Sequence, residues 1–220
     1  MLEKFISQTS FVSTDDFKKN YRVRIPENFN FAYDVVDEWA HQQPDKVALC
    51  WVNDHGVHHN FTFAEIKKYS DQTASYFLSL GIKKGDMVML MLKRRYEFWF
   101  SILALHKIGA VVIPATHLLT VKDIIYRCNA ADIKAVVCTE EHEMMDKVDE
   151  ALPKCPSLKA RIGLGNAKVG WSDFKRGIES CEAFVRPPFV NTNDDIMLLY
   201  FTSGTTGDHK MVIHDYTYPL

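Results

Sequence analysis

Between Asp86 and Gly165 the chain alternates short, continuous apolar runs with longer ones, and this alternation constrains the fold more than any other feature. "DMVMLML" (86–92) reads as a strand buried on both faces. "YEFWFSILALHKIG" follows, apolar nearly all round, and reads as a buried helix ended by Gly109. "AVVIP" is a strand closed by Pro114, and "TVKDIIYRCNAA" a helix opened by Thr120 and Asp123 at capping-box spacing. "KAVVCT" is a third strand, "EEHEMMDKVDEAL" a third helix halted by Pro153, and "SLKARIGLG" a fourth strand. Strands separated by helices of this length pair in parallel and are covered on both faces. The expected fold class is α/β, a largely parallel sheet flanked by helices.

Upstream, "FTFAEIKKYSDQTASYFLSLG" carries a second capping box, Thr62 with Glu65. Ile66, Tyr69, Thr73, Phe77 and Leu80 recur every three or four residues and mark one buried face, and Gly81 ends the helix. Two β-prone runs before it, "KVALCWV" and "GVHHNFTF", are joined by Asn53 to Gly56 as a hairpin. Trp39, Trp51 and Trp99 lie within apolar patterns and are expected in the core. Asp15, Asp16, Lys18 and Lys19 form an exposed helix. The proline-bearing "RPPFVNTND" (186–194) is the best boundary. It divides the chain into an N-terminal extension (1–28), an α/β subdomain (29–185) and a linker with a strand–loop–strand (186–220).

Composition excludes several function classes. A formal net charge of −2 argues against a nucleic-acid partner or a general anionic surface. No apolar run is long enough to span a bilayer, and "MLEKFISQTS" lacks the apolar core of a signal peptide, so the cytoplasm is the default compartment. Five scattered cysteines form no CxxC pair, which leaves neither a disulfide framework nor a zinc site. His58 and His59 are adjacent and face opposite sides of a strand, so they cannot share a metal. Lys93, Arg94 and Arg95 end a buried strand and read as a solvated helix start, with the nucleotide of a ligand as the alternative.

After the boundary come "DIMLLYF", a strand, and then "TSGTTGDHK", Thr202 to Lys210. Glycines let the backbone approach a ligand, successive N–H groups can form an anion-binding nest, hydroxyls donate to phosphate oxygens, and Lys210 adds a compact charge. This is not the Walker loop, which needs Gly before the Lys and Ser or Thr after it. His209 and Met211 hold those places, and the β-prone "MVIHDYTY" makes the context strand–loop–strand. The competing reading is a Gly/Ser/Thr hairpin turn that binds nothing.

"YFTSGTTGDHK" resembles the phosphate-loop signature of the adenylate-forming enzymes, the superfamily of acyl-CoA synthetases, luciferases and peptide-synthetase adenylation domains. It departs from the usual pattern at His209, where Pro is common, and at Met211, where Gly is common. A Lys-Met pair at this point resembles medium-chain acyl-CoA synthetases. "FNFAYDVVDEWA", "FTFAEI", "GIKKGDMVML" and "HKIGAVVIPATHLLTVKDIIYR" follow the order of the acetyl- and medium-chain acyl branch, so the resemblance covers most of Phe29 to His214. It implies the N-terminal lobe of the adenylate-forming fold, truncated after the phosphate loop. The implied reaction activates a carboxylic acid (acetate to medium-chain) with ATP as an acyl-adenylate and transfers the acyl group to coenzyme A, with release of AMP. ATP/AMP, Mg2+ and coenzyme A are the implied small molecules, and Thr202, Ser203, Gly204, Thr205, Thr206, Gly207 and Lys210 the implied phosphate ligands. No catalytic or metal-binding residue is expected within the chain, and on its own it should be inactive. The alternative is a non-catalytic binding or regulatory module derived from that family.

Overall fold

A computed structural model describes residues 2–165, 168–202 and 210–220. In chain order its elements are α1 (Thr14–Asn20), a π-helical segment (Ala32–Asp37) running into α2 (Glu38–Gln42), and a hairpin of β1 (Val47–Val52) and β2 (His58–Thr62). Next come α3 (Phe63–Ser79), β3 (Met87–Met91), α4 (Glu97–Ile108), β4 (Val111–Pro114), α5 (Val121–Ala130), β5 (Ala135–Thr139) and α6 (Met144–Ala151). The chain continues through β6 (Ala160–Leu164), β7 (Ser172–Asp173), α7 (Phe174–Glu179), β8 (Ile196–Thr202) and β9 (Lys210–Asp215).

The expected strands are parallel neighbours in one seven-stranded sheet, ordered β7-β6-β5-β3-β4-β8-β9. Only β9 runs antiparallel, paired with β8. The continuous apolar character of β3 follows from its surroundings. Val88 and Leu90 pack with Phe77, Leu105, Phe174 and Ile178 on the α3–α4–α7 face. Met89 and Met91 pack with Ile124, Cys128, Met144 and Val148 on the α5–α6 face. Both capping boxes are formed, at Thr62–Glu65 and Thr120–Asp123. Gly109 closes α4 at φ 76°, a left-handed conformation that suits glycine. The hairpin turns through Gly56 at φ 74°.

Two expectations are corrected. Trp99 is 48% exposed rather than core. Phe98, Trp99 and Phe100 are consecutive, and a helix advances about 100° per residue, so one ring must face out. Phe100 takes the interior place. The third helix begins late: Glu141–Glu143 is a 3-10 turn, Glu143 sits at φ 57°, and the α-helix starts only at Met144. The left-handed backbone at Glu143 separates the 3-10 turn from the α-helix, and Met144 and Met145 are the first residues with an apolar anchor.

Two polar clusters seat the N-terminal segment. The Asn30 side-chain amide donates to His106 O at 2.9 Å and Asn191 Oδ1 at 2.8 Å. Asn191 Nδ2 donates to Phe29 O at 2.9 Å, Asn193 Oδ1 accepts from Phe29 N at 2.8 Å, and Asn193 Nδ2 donates to Pro26 O at 2.9 Å. Beside them Lys107, fully buried in α4, donates to Asp37 Oδ1 at 2.8 Å, Ser70 Oγ at 2.9 Å and Asp71 Oδ1 at 2.6 Å. Burial lifts the Asp37 carboxyl above its ordinary pKa against the pull of Lys107.

Candidate functional site

The glycine- and hydroxyl-rich segment joins two strands, as its flanking β-prone runs imply. β8 and β9 pair from Ile196–Asp215 through Thr202–Lys210, so Thr202 and Lys210 stand opposite each other at the mouth of the loop. The Thr202 hydroxyl donates to Lys210 O at 3.4 Å. Both residues are exposed. Ser203, Gly204, Thr205, Thr206 and Gly207 lie outside the described residues, together with Asp208 and His209.

Register places this mouth at the carboxyl edge of the sheet. β8 pairs in parallel with β4 at Val112–Leu198, so Pro114 ends β4 level with Tyr200 while β8 continues to Thr202. The tip therefore projects past its neighbour on the side where open α/β sheets hold ligands. Side chains at the tip fix its direction. Phe201 faces α5, with Tyr126 edge-on at 6.1 Å and the Arg127 guanidinium over its ring at 4.6 Å. Further back on β9, opposite Leu198, the His214 ring lies tilted on Tyr218 at 3.9 Å and meets Tyr200 edge-on at 5.7 Å.

Two cations stand by this mouth. Lys210 is exposed, and Arg127 is 7% exposed with an Nε that has no hydrogen-bond partner among the described residues. Burial pulls the Arg127 pKa down, and the nearby Asp123 opposes this. Arg127 is missed by sequence reading, which sees only a polar residue in an amphipathic helix. Its single signal is a cation in the last turn of α5.

Other sequence candidates fall elsewhere. His59 stacks on Trp51 at 5.8 Å while His58 is exposed, and they share nothing. Among the described residues no group of three His, Cys, Asp or Glu could hold a metal ion. The thiols are free. Burial pushes the Cys128 and Cys138 thiols far above their ordinary pKa, which suppresses the nucleophilic thiolate. No described helix is long and apolar enough to cross a membrane.

Residues 36–218 match the sequence model of the AMP-binding enzymes. The chain belongs to the AMP-binding enzyme family. Among its relatives is the mitochondrial acyl-coenzyme A synthetase ACSM5 of Rattus norvegicus, 37% identical over 201 residues, covering 86% of this chain and 34% of that protein. The mitochondrial acyl-coenzyme A synthetase ACSM4 of Mus musculus is 36% identical over 213 residues, covering 92% of this chain and 36% of that protein. The chain thus spans about a third of the length of these curated relatives. The crystal structure of the anthranilate CoA ligase AuaEII in complex with anthranoyl-AMP matches with a TM-score of 0.75 at 20% identity, over 87% of this chain and 36% of that one. The Brucella canis acyl-CoA synthetase matches with a TM-score of 0.75 at 21% identity, over 85% of this chain and 33% of that one. At such identities the two structures speak to fold. They share with this protein its α/β architecture.

Proposed function

We propose that the chain is the N-terminal part of an ATP-dependent, AMP-forming acyl-CoA synthetase, acting on acids from acetate to medium-chain length, with ATP, the carboxylate and coenzyme A as its partners. The observation that carries this reading is the "TSGTTGDHK" segment between two paired strands at the carboxyl edge of the sheet, in a chain of the AMP-binding family. Residues 1–28 are then an extension, 29–185 the α/β unit, and 186–220 the passage into the rest of the enzyme. The sequence reading gives a cytoplasmic location and the named relatives are mitochondrial, so fractionation of the tagged protein decides the compartment.

Chemically, the loop is suited to hold the β- and γ-phosphates of ATP. Backbone N–H groups of Ser203 to Gly207 and the hydroxyls of Thr202, Ser203, Thr205 and Thr206 donate to phosphate oxygens, and Lys210 adds charge. Their work is electrostatic: negative charge grows on departing pyrophosphate as the carboxylate attacks the α-phosphate, and fixed donors stabilise it. Magnesium is expected with ATP, and among the described residues no group of three His, Cys, Asp or Glu could hold it.

In the complete enzyme, Lys210→Ala or Gly204→Val should slow adenylate formation by about 30- to 1000-fold, the effect of roughly 2–4 kcal/mol of lost charge stabilisation. Thioester formation from a preformed acyl-adenylate should be nearly unchanged, because pyrophosphate has already left. Single-turnover measurement of each half-reaction checks this. Equal slowing of both halves would mean general misfolding and remove the phosphate role.

A further inference from the structure

Phe100 and Leu103 of α4 pack with Ala32, Val36 and Ile66 in a small core cluster of their own, against which Leu49 and Phe61 of the hairpin rest. Beside that cluster a hollow of about 360 Å³ opens, walled in part by Phe31, Trp39, Phe63 and Trp99. Every residue around it is apolar except His106. Its aromatic wall is ordered by contacts of its own. Trp39 stacks on Phe63 at 5.6 Å, and the Lys46 ammonium stands over the Trp39 ring at 3.9 Å. Another part of the wall belongs to the π-helical segment Ala32–Asp37, a rare form of helix that recurs at functional sites.

His106 gives the hollow its chemistry. The residue is 4% exposed, and neither ring nitrogen has a hydrogen-bond partner among the described residues. Two polar side chains reach this residue without serving its ring. Asn30 Nδ2 at 2.9 Å and the Tyr216 hydroxyl at 3.2 Å both donate to the His106 backbone carbonyl. Burial holds the imidazole neutral, with a pKa of about 3, so it offers one N–H donor and one bare nitrogen acceptor. A buried polar atom without a partner has lost its water and gained no hydrogen bond in exchange. A ligand that supplies the missing bond recovers that loss. The remaining surface is of the kind that stays dry and takes up small apolar molecules.

We propose that this hollow binds an uncharged aromatic compound bearing one hydroxyl, its ring against Trp39, Phe63 and Trp99 and its hydroxyl hydrogen-bonded to the His106 imidazole. Aromatic walls favour a planar ring through offset-stacked and edge-to-face contacts. A neutral imidazole in an apolar surround gives a charged head group nothing to pair with, which selects against ionised ligands. The hydroxyl separates the ligand from a plain hydrocarbon. The hollow is built on α3, α4 and the segment leading into β1, whereas the Thr202–Lys210 mouth stands beside α5 on the opposite face of the sheet. The site does not depend on the acyl-CoA synthetase reading.

Phenol and toluene, which differ by a hydroxyl in place of a methyl, titrated separately into the 220-residue chain and followed by amide and imidazole chemical shifts, test this. Expected is saturable binding of both, with amide shifts centred on Trp39, Ala48 and Trp99. In the wild-type chain the His106 ring nitrogens should shift with phenol and hardly at all with toluene. His106→Leu removes an unpartnered polar group and should fold. It should weaken phenol about three- to tenfold, the loss of one neutral hydrogen bond, and leave toluene nearly unchanged. Ala48→Trp, on the wall of the hollow, should weaken both. Equal loss of the two ligands in His106→Leu, ring nitrogens that ignore phenol, affinities untouched by Ala48→Trp, or no saturable binding by a chain whose spectrum is dispersed and folded would each overturn the proposal.

Discussion

Lys107 has no exposed surface, and its three ammonium protons meet Asp37, Ser70 and Asp71. Removing one member of a buried ion group leaves its partners charged and dry, which costs about 3–5 kcal/mol. Lys107→Met should therefore lower stability to urea by that amount, and adding Asp37→Asn and Asp71→Asn should recover part of it. His106, the preceding residue, is 4% exposed, and neither ring nitrogen has a hydrogen-bond partner among the described residues. Burial holds its pKa at about 3, against an ordinary 6.5. The folded imidazole is thus neutral where the unfolded one takes up a proton. Its contribution to stability is fully present above pH 6.5 and is lost as pH falls toward 3. The limiting slope is about 1.4 kcal/mol per pH unit. Urea midpoints of the wild type should drop between pH 7.5 and 5, and His106→Leu should flatten that part of the profile; parallel profiles would refute the assignment. Neither residue's role was legible in the sequence. The adjacent pair reads only as the polar end of a helix, and the partners of Lys107 lie 70, 37 and 36 positions away.

Elements whose signals are local were legible. Thr62 and Glu65, or Thr120 and Asp123, satisfy each other's backbone groups within one turn, so the spacing alone marks the helix start. The stretch from 168 to 185 carried only half of such a signal, since Asp173 caps α7 by accepting from Arg176 N at 2.8 Å but Arg176 cannot return a carboxylate to the cap. β7 is two residues long, and α7 is short and contains Gly177. The structure gives that glycine a reason: a Cβ there would lie 2.1 Å from Cζ of Tyr76, whose hydroxyl is fixed by a 2.9 Å hydrogen bond to Asp173 O. α3 and α7 touch through that missing side chain. Helix propensity alone predicts that Gly177→Ala stabilises by about 1 kcal/mol. The clash reverses the sign, with an expected loss of about 1–3 kcal/mol. A thermal melt decides between the two directions. Trp99 shows the opposite limit, since periodicity marks an apolar helix without saying which of three consecutive rings stays outside.

Across the whole molecule the parallel sheet was legible and the destination of its sixth strand was not. Apolar runs show that "DIMLLYF" is a strand, but pairing with β4 is a contact between residues 86 apart in sequence, Val112 and Leu198. The glycine- and hydroxyl-rich segment at 202–210 was recognisable as a candidate because its signal is written in consecutive residues. Its companion Arg127 was not, because only folding brings α5 beside β8. The chain spans about a third of its relatives, and alone it should give only background carboxylate-dependent ATP–pyrophosphate exchange with acetate, butyrate or octanoate. Exchange above background would show that the loop-bearing lobe is sufficient. The asparagine cluster that joins Pro26–Asn30 to Asn191–Asn193 has a consequence for synthesis. Asn30 and Asn191 are 161 residues apart, so at about 5–20 residues per second the ribosome delivers the second roughly 8–30 seconds after the first. Until then Phe29 and the helical turn behind it have only half a seat, and the nascent chain carries an undocked apolar end that a chaperone can hold.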